Sequence, residues 1–297
     1  LEKDGELIAF RNSNFEKSKL NKIDSNVKIK TIENLTDIFK FNSEEINIDF
    51  KFLTDGKQSN DIDESNRLLG NEIFIEKGAK ISCSILNAQD GPIYIGKDTE
   101  VMEGSIIKGP FAMLNNSQVK LGSRIYGGTT VGPFSKVAGE INNSILFGFS
   151  SKAHEGYLGN SIIGEWCNLG AGTNVSNLKN NYEKVKIWNY QTNKFKSTEL
   201  QFCGLIMGDH SKSSINTMFN TGTVVGVGAN IYGSGFPRNF IPSFSWGGAL
   251  GFSIYKLNSF FSTAEKVLKR RDITFNDIEK QILFNIYNMT KVYRNEL

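Results

Sequence analysis

Aliphatic residues recur at every sixth position through much of this 297-residue chain. One run is Ile95, Val101, Ile107 and Met113; the others are Val131 and Val137, then Ile163, Leu169 and Val175, and then Val225 and Ile231. A period of six fits neither an amphipathic helix, whose apolar positions recur every three or four residues, nor an ordinary strand, whose period is two. It is typical of a β-helix, in which each six-residue unit is one short strand and a corner.

The hexapeptide pattern fixes the main features of the expected core. The aliphatic residue points into a narrow prism, and the corner uses residues that tolerate unusual backbone angles. Three units make one coil of about 18 residues, and coils stack about 4.8 Å apart. A single coil cannot bury its own apolar residues, so we expect stability to come from stacking.

The chain on either side of the repeat has a different character. Residues 1–70 are predicted to be a small α/β segment followed by a linker, with strands at Leu7–Phe10 and Val27–Ile29 and a helix over Ile32–Phe41. Residues 71–235 are predicted to form the β-helix. Most of the 29 glycines lie between Gly91 and Gly251, which supports a change of architecture there.

Interruptions of the repeat indicate where loops lie. We predict register breaks at residues 115–127 and 139–152, and a projecting loop at residues 179–201, which is too charged and aromatic for the prism. Residues 236–297 are predicted to be an aromatic cap followed by two helices, Asn258–Arg271 and Thr274–Asn288. The first places Phe260, Phe261, Ala264, Val267 and Leu268 on one stripe. The second starts with Thr274 and Asp277 in a capping-box-like pattern and carries Ile278, Ile282 and Ile286 at helical spacing.

Composition excludes several functional classes. The formal net charge is only +3 and there is no long basic run, so we expect no binding to nucleic acid or to an anionic membrane. No apolar run approaches the roughly 18 residues of a membrane span. Cys83, Cys167 and Cys203 lie far apart without CxxC spacing, which predicts a reducing compartment, the cytoplasm, and neither a disulfide framework nor a structural zinc site.

Three segments carry a resemblance to a known family: HEGYLGNSIIGEWCNLGAGTNVSNLKNNY, GLIMGDHSKSSINTMFNTGTVVGVGANI and GSGFPRNFIPSFSWGG. With them the chain resembles the bifunctional enzymes that make UDP-N-acetylglucosamine, in which a sugar-1-phosphate nucleotidyltransferase domain precedes a left-handed β-helix acetyltransferase, and among these a Bacteroidetes-type group. The resemblance covers roughly residues 71–271. It implies a mainly β fold, a left-handed parallel β-helix of hexapeptide repeats, with a small α/β N-terminal remnant and C-terminal helices.

The nucleotidyltransferase half of that family has a Gly-rich nucleotide-binding loop, which this sequence does not contain. Residues 1–70 have only Gly5, Gly56 and Gly70. We therefore expect this segment to be the tail of a nucleotidyltransferase-like domain in an N-terminally truncated chain that starts at Leu1, with the nucleotidyl site and its Mg²⁺ outside the sequence.

The resemblance implies an acyltransferase that transfers an acetyl group from acetyl-CoA to the amine of an amino-sugar 1-phosphate and works as a homotrimer. The reaction needs a base that keeps the amine neutral and a donor for the oxyanion. His154 is the candidate base, because an imidazole with a pKa near 6.5 is suited to removing a proton near neutrality. By resemblance, the N–H of Ala171 in the Gly170-Ala171-Gly172 turn is the candidate oxyanion donor.

The remaining candidate site residues also follow from the resemblance. Tyr157 and Asn168 are expected to contact the acceptor sugar, although an aromatic packed between coils and an Asn ladder at a corner are structural alternatives. Candidates for binding the sugar phosphate are Arg124, Lys136 and Lys152. Candidates for the acyl-CoA groove are Asn177, Ser213, Ser214 and Gly226. The residue that orients His154 is left open between Glu140 and Glu155, and His210 is interpreted as structural.

Two other functions are compatible with a hexapeptide repeat. In one, the biological activity is nucleotidyl transfer and the β-helix is only a trimerisation scaffold, which predicts no binding of CoA. In the other, the β-helix is a zinc hydratase, which needs three histidine ligands. Because the chain has two histidines, no metal site is predicted.

Overall fold

The structure is a computed structural model that describes residues 2–3, 6–7 and 30–294. The chain divides into two units, residues 1–34 and residues 35–297. In the first unit, β1 (Glu2–Lys3) pairs with β2 (Glu6–Leu7) in antiparallel orientation. The predicted strand at Val27–Ile29, and most of the one at Leu7–Phe10, lie outside the described residues.

The second unit winds into a parallel β-solenoid of about 10 turns, and most turns place one strand on each of three faces. The first face contains β3 (Arg67–Leu69), β6 (Ile85–Asn87), β9 (Ile106–Lys108), β12 (Arg124–Ile125), β15 (Glu140–Asn142) and β18 (Tyr157–Gly159), and then the pair β21 (Asn174–Val175) and β26 (Met218–Phe219). The second face contains β4 (Ile73–Ile75), β7 (Ile93–Ile95), β10 (Phe111–Met113), β13 (Thr129–Val131), β16 (Ile145–Leu146), β19 (Ile162–Ile163), β24 (Ile206–Met207), β27 (Val224–Val225) and β29 (Phe240–Ile241).

The third face contains β5 (Lys80–Ile81), β8 (Glu100–Val101), β11 (Gln118–Val119), β14 (Lys136–Val137), β17 (Ser151–Lys152), β20 (Asn168–Leu169), β25 (Lys212–Ser213), β28 (Asn230–Ile231) and β30 (Ser245–Gly248); β31 (Gly251–Ile254) pairs antiparallel with β30. We call the corner between the second and third faces the second corner. The corner that leads from the third face to the first face of the next turn is the third corner.

The hexapeptide prediction is confirmed, because every aliphatic residue that carried it is at most 2% exposed inside the prism. The register break predicted at residues 115–127 is wrong. Val119 and Ile125 continue the same spacing with 0% and 2% exposure, and Lys120 and Arg124 beside them point away from the core. The spacing does shorten within residues 139–152, where the inward positions are Ile141, Leu146 and Lys152.

The solenoid extends beyond both predicted limits of 71–235. It begins with Arg67, and the preceding polar segment is attached to it: the Ser84 amide donates to Asn66 Oδ1 at 3.0 Å and the Ile75 amide donates to Ser59 Oγ at 3.0 Å. At the other end β29 and β30 pair with β27 and β28, so part of the predicted cap forms one more turn.

The second face is covered by a helix and a hairpin. Helix α1 (Asp37–Thr54) replaces the helix predicted over Ile32–Phe41, belongs to the same unit as the solenoid and packs Phe39 against Ile145 and Ile162. The predicted projecting loop contains β22 (Lys186–Asn189) and β23 (Lys194–Ser197), which form an antiparallel hairpin. The hairpin lies against the same face, with the Trp188 ring stacked on Phe240 at 4.2 Å.

The second corner is covered by the C-terminal helices α2 (Leu257–Lys269) and α3 (Asp277–Met289), and a 3₁₀ turn follows at Lys291–Arg294. The predicted α2 stripe is confirmed, since Phe260, Ala264 and Leu268 are buried and Phe261 and Val267 pack beside them. None of the helices in the described part has the length and apolar composition needed to cross a bilayer.

Helix α3 differs from its prediction at both its start and its apolar face. The N-cap is Asn276, whose side chain accepts from the Glu279 amide at 2.9 Å, and not Thr274. Ile278 and Ile282 of the predicted stripe are 73% and 52% exposed, while Leu283 is buried. The helix is therefore rotated relative to the orientation that the isoleucine spacing indicated.

Candidate active site

His154 lies on the third corner, in the residues between β17 and β18, and this corner stacks directly on the Gly170-Ala171-Gly172 corner of the next turn. The Gly172 amide donates to the Glu155 carbonyl at 3.0 Å. Gly156 has a φ of +129°, and a Cβ atom on it would lie 2.1 Å from the Thr173 carbonyl oxygen. Only glycine fits there, and its absence of a side chain lets the two corners approach each other.

The imidazole of His154 is exposed, and no described residue makes a hydrogen bond to it. Neither carboxylate considered for orienting it is engaged with it. Glu140 and Glu155 instead lie 3.9 and 3.5 Å from the Arg124 guanidinium. Within the described residues, both nitrogens of His154 are therefore open to a substrate.

The Ala171 amide is held in place but has no acceptor among the described residues. The carbonyl of the same peptide unit, that of Gly170, accepts from the Thr173 amide at 3.1 Å. The amides of Gly170 and Gly172 on either side donate to Ser213 and Glu155 carbonyls. A fixed amide without a partner on an accessible corner is the arrangement that an oxyanion requires.

Tyr157 and Asn177 are brought together beside this corner. The Asn177 amide nitrogen donates to Tyr157 Oη at 3.0 Å and to Asn160 Oδ1 at 2.8 Å. Gly159 makes room for the pair, since a Cβ there would lie 2.3 Å from Tyr157 Oη. Burial raises the pKa of Tyr157, against an opposing effect of its hydrogen bonds to Asn142 and Asn177. The hydroxyl is therefore neutral near pH 7, and the nitrogen of Asn177, a predicted acyl-CoA contact, is already occupied within the protein.

The prediction that Lys152 binds the sugar phosphate is wrong. Its side chain occupies an inward hexapeptide position and is only 2% exposed. Its ammonium donates to the carbonyls of Ala138 at 3.1 Å and His154 at 2.7 Å. A lysine in the sequence is normally taken to be a surface residue. Here it occupies a position that is aliphatic in most turns, and it lies inside the prism.

Lys136 lies on the outer side of the third face and is the stronger phosphate candidate. Partial burial is the largest cause that lowers the pKa of Lys136, and the charges of Arg271, Lys120 and Arg270 lower it further. The two arginines follow α2 and were not among the residues predicted to bind phosphate. Their position next to each other was the only feature of the sequence that could have indicated this role. A cluster of cations that disfavour each other's charge attracts an anion.

Asn168 and Arg124 lie on opposite sides of the third corner. Asn168 is exposed on the third face, where it pairs with Ser151, which in turn pairs with Lys136. Arg124 lies on the first face between Glu140 and Glu155. Exposed ion pairs of this kind contribute about 0–1 kcal/mol, so a phosphate can compete with these carboxylates for the guanidinium.

Of the candidate acyl-CoA residues Ser213, Ser214 and Gly226, Ser214 alone is partly exposed. Ser214 lies on the third corner below Ala171, where the neighbouring Asn216 amide donates to the Ala171 carbonyl at 2.7 Å. Ser213 is buried, with its hydroxyl 3.0 Å from that of Thr173. Gly226 is buried at the second corner, where a Cβ would lie 2.4 Å from the Ser243 amide nitrogen. Neither Ser213 nor Gly226 is therefore accessible at the corner of His154.

His210 lies at the second corner, away from this site. Its ring stacks on Trp166 with centroids 6.2 Å apart. Burial, and secondarily Lys212, lowers the pKa of His210 to about 3. In the described part of the chain no three His, Cys, Asp or Glu side chains are grouped so that they could hold a metal ion.

Known proteins similar to this chain include bifunctional sugar-1-phosphate nucleotidylyltransferase/acetyltransferases. It is 26% identical over 179 residues, 60% of its own length, to a bifunctional sugar-1-phosphate nucleotidylyltransferase/acetyltransferase of Sulfurisphaera tokodaii, of which the match covers 44%. It is 37% identical over 87 residues, 29% of its length, to the bifunctional protein GlmU of Methanocaldococcus jannaschii, of which the match covers 21%. The matches lie in the acetyltransferase region of these relatives and span less than half of their length. No protein-family model matches the chain.

Solved structures similar to this one include acyltransferases. The polySia-specific acetyltransferase NeuO superposes with a TM-score of 0.35 and 16% identity over 65% of this chain and 87% of that one. A UDP-N-acetylglucosamine acyltransferase of Francisella novicida superposes with a TM-score of 0.33 and 14% identity over 78% of this chain and 76% of that one.

Proposed function

We propose that this chain, a homologue of the acetyltransferase region of the bifunctional sugar-1-phosphate nucleotidylyltransferase/acetyltransferases, transfers an acyl group from an acyl-CoA to the amine of an amino-sugar 1-phosphate. One observation carries the proposal. On two stacked turns of the third corner, the His154 imidazole and the Ala171 amide both lack partners among the described residues. A free base beside a free, fixed amide is what acyl transfer to an amine needs.

The two groups divide the reaction between them. The amine attacks the thioester carbonyl, and His154 takes the proton that the nitrogen loses as the C–N bond forms. The carbonyl oxygen becomes negative and accepts a hydrogen bond from the Ala171 amide. When the tetrahedral species collapses, the C–S bond breaks and the CoA thiolate takes the proton from the imidazolium.

The neighbouring residues suit the two substrates. Lys136, with Arg270 and Arg271 near it, is proposed to bind the phosphate, and Arg124 is a second candidate on the first face. Tyr157 and Asn168 would contact the sugar. Ser214 and the side-chain Oδ1 of Asn177 would face the donor, which we propose to be acetyl-CoA.

We also propose that the active form is a cytoplasmic homotrimer. Leu121 and Ile215 are apolar residues on the third corner with 63% and 68% exposure, and a second copy that covers this corner would bury them. A closed three-fold ring covers the third corner of every copy at once. Light scattering tests the assembly, with a mass of three chains expected and a monomer contradicting it.

The activity is tested by incubating the protein with acetyl-CoA and glucosamine 1-phosphate and following thiol release and the N-acetylated product. Thiol release that depends on the acceptor is expected from the wild type and not from His154→Ala. Equal rates for the two proteins would exclude His154 as the base. If the solenoid is only a scaffold, acetyl-CoA will not raise the unfolding temperature, because a ligand that binds the folded state must stabilise it.

A further inference from the structure

The inward column of the third face contains one charged residue, at the turn that carries His154. From the first turn onward the column is Ile81, Val101, Val119, Val137, Lys152, Leu169, Ser213, Ile231 and Gly247. Lys152 pairs with Val137 of the turn before it and is as buried as the aliphatic residues on either side. An ammonium in this position is costly unless it gains hydrogen bonds.

Four of the other third corners are filled by a small hydroxyl. Ser105, Ser123, Thr173 and Thr217 each lie four residues after an inward residue, and all four are buried. Ser123 Oγ donates to the Lys120 carbonyl at 2.6 Å, and Thr217 Oγ1 donates to the Ser214 carbonyl at 2.9 Å. These hydroxyls satisfy the corner carbonyls from inside the prism.

In the turn of His154, the corresponding position is Gly156, and no side chain fits there because of the Thr173 carbonyl. The polar group inside this corner is the Lys152 ammonium instead. It donates to the Ala138 carbonyl of the preceding turn and to the His154 carbonyl of its own turn. No described carboxylate lies within ion-pair distance of it.

We propose that Lys152 is a positioning residue, whose ammonium holds the backbone of His154 from inside the prism and so fixes the direction in which the imidazole leaves the corner. This inference rests on the proposed role of His154 as the base. The stability of the fold does not require a lysine at this position. Replacing a buried charge by an apolar residue of similar volume often leaves the free energy of unfolding unchanged or raises it.

The first test is the Lys152→Met variant, whose side chain is unbranched and one atom shorter and has no hydrogen-bond donor. We expect kcat to fall about 10- to 100-fold, since a displacement near 1 Å of a reacting group costs about 100-fold. The KM values for both substrates should stay within about two-fold. Val101→Ala, a defect in the same column three turns away, is the matched control and should keep its kcat. A kcat for Lys152→Met within two-fold of the wild type would overturn the proposal.

The second test does not depend on the activity. With ¹⁵N-labelled histidine the protein gives two backbone amide signals, from His154 and His210, because it has two histidines. Lys152→Met should shift or broaden the His154 signal and leave the His210 signal in place. An unchanged His154 signal would contradict the proposal. Loss of both signals would also contradict it, because the lysine would then support the whole fold and not this corner.

The two tests separate the two claims. If the wild type transfers no acyl group, the proposed function fails, and the His154 signal alone decides whether Lys152 holds the corner. If the wild type is active and the signal shifts while kcat does not change, the proposed function stands and the positioning role is rejected.

Discussion

The two histidines of this chain sit at two different corners of the same prism, and the corners have opposite properties. His210 at the second corner stacks on Trp166, meets the edge of Phe260 and has its pKa lowered to about 3 by burial. His154 at the third corner is exposed and has no hydrogen-bond partner among the described residues. The residue type is the same, so the covering elements decide which histidine is structural and which is open to a substrate.

In the middle turns of the solenoid, the two corners differ in the type of residue that takes the left-handed backbone conformation. At the second corner, Phe134, Phe149, Trp166 and His210 have φ between 58° and 60° and stack their rings along the axis. At the third corner, Gly104, Gly122, Gly139 and Gly172 take φ between 66° and 79°. Aromatic side chains bring α2 and α3 onto one corner, whereas glycines leave backbone amides accessible on the other.

The sharpest way to break this comparison is to replace each histidine by glutamine. His154→Gln removes the base and should lower kcat about 100- to 10,000-fold with little change in unfolding temperature. His210→Gln should keep kcat at the wild-type level, because its ring faces Trp166 and Phe260. Steady-state thiol release measures both. A large loss of kcat in His210→Gln at full folding would show that the two corners do not have separate roles.

The sequence predicted the prism better than the helices and the hairpin that pack on its outside. The hexapeptide positions were readable because the inward residue is apolar in most turns, as Val131 and Val137 are. Helix α3 was misjudged because the spacing of Ile278 and Ile282 carries no information on which side meets the solenoid.

The sequence predicted the placement of the candidate residues in part. His154 and Ala171 lie on stacked turns of the third corner, and Tyr157 follows at the start of β18. The burial of Lys152 was not predicted. It depends on the absence of a side chain at Gly156, four residues later, and on carbonyls of two turns that accept hydrogen bonds from the ammonium. Arg270 and Arg271 were missed because they reach Lys136 only through the packing of α2.

A second prediction concerns the stability of the two corners. Trp166→Ala removes the centre of the aromatic ladder, which contacts Phe149 at 4.2 Å, and should cost about 3–5 kcal/mol of unfolding free energy. Leu121→Ala at the third corner removes an exposed side chain and should change the free energy of a monomer by less than about 0.5 kcal/mol. Urea unfolding of dilute protein measures both. Equal losses would show that the third corner is as well packed as the second.

The third prediction uses the pH dependence of stability. Burial lowers the pKa of Lys152 from 10.5 to about 8, with Glu155 opposing the shift. Between about pH 8 and 10.5 the unfolded state therefore binds more protons at this residue, so its contribution to stability rises with pH. Relative to Lys152→Met, the wild type should gain up to about 3 kcal/mol over that interval.

Denaturant unfolding of the wild type and Lys152→Met at pH 7 and pH 10 measures this gain. At pH 7 the methionine variant should be at least as stable as the wild type, because it buries no charge. A difference between the two proteins that does not depend on pH would mean that the ammonium reaches water, and the third corner would then be more open than the structure shows.

The smallest expected effect is on the KM for the sugar phosphate, and it tests whether the third face binds the phosphate. Lys136→Met removes one cation from the group that includes Lys120, Arg270 and Arg271, and should raise the KM for glucosamine 1-phosphate about ten-fold, the effect of losing one hydrogen bond to a charged group. Lys80→Met, on the same outer column but at the first turn, is the matched control and should leave KM unchanged.

Glucosamine without phosphate should react at the same rate with both variants, because the contact that Lys136 supplies is to the phosphate. If Lys136→Met slows that acceptor as well, the lysine supports the corner of His154 and does not bind the phosphate.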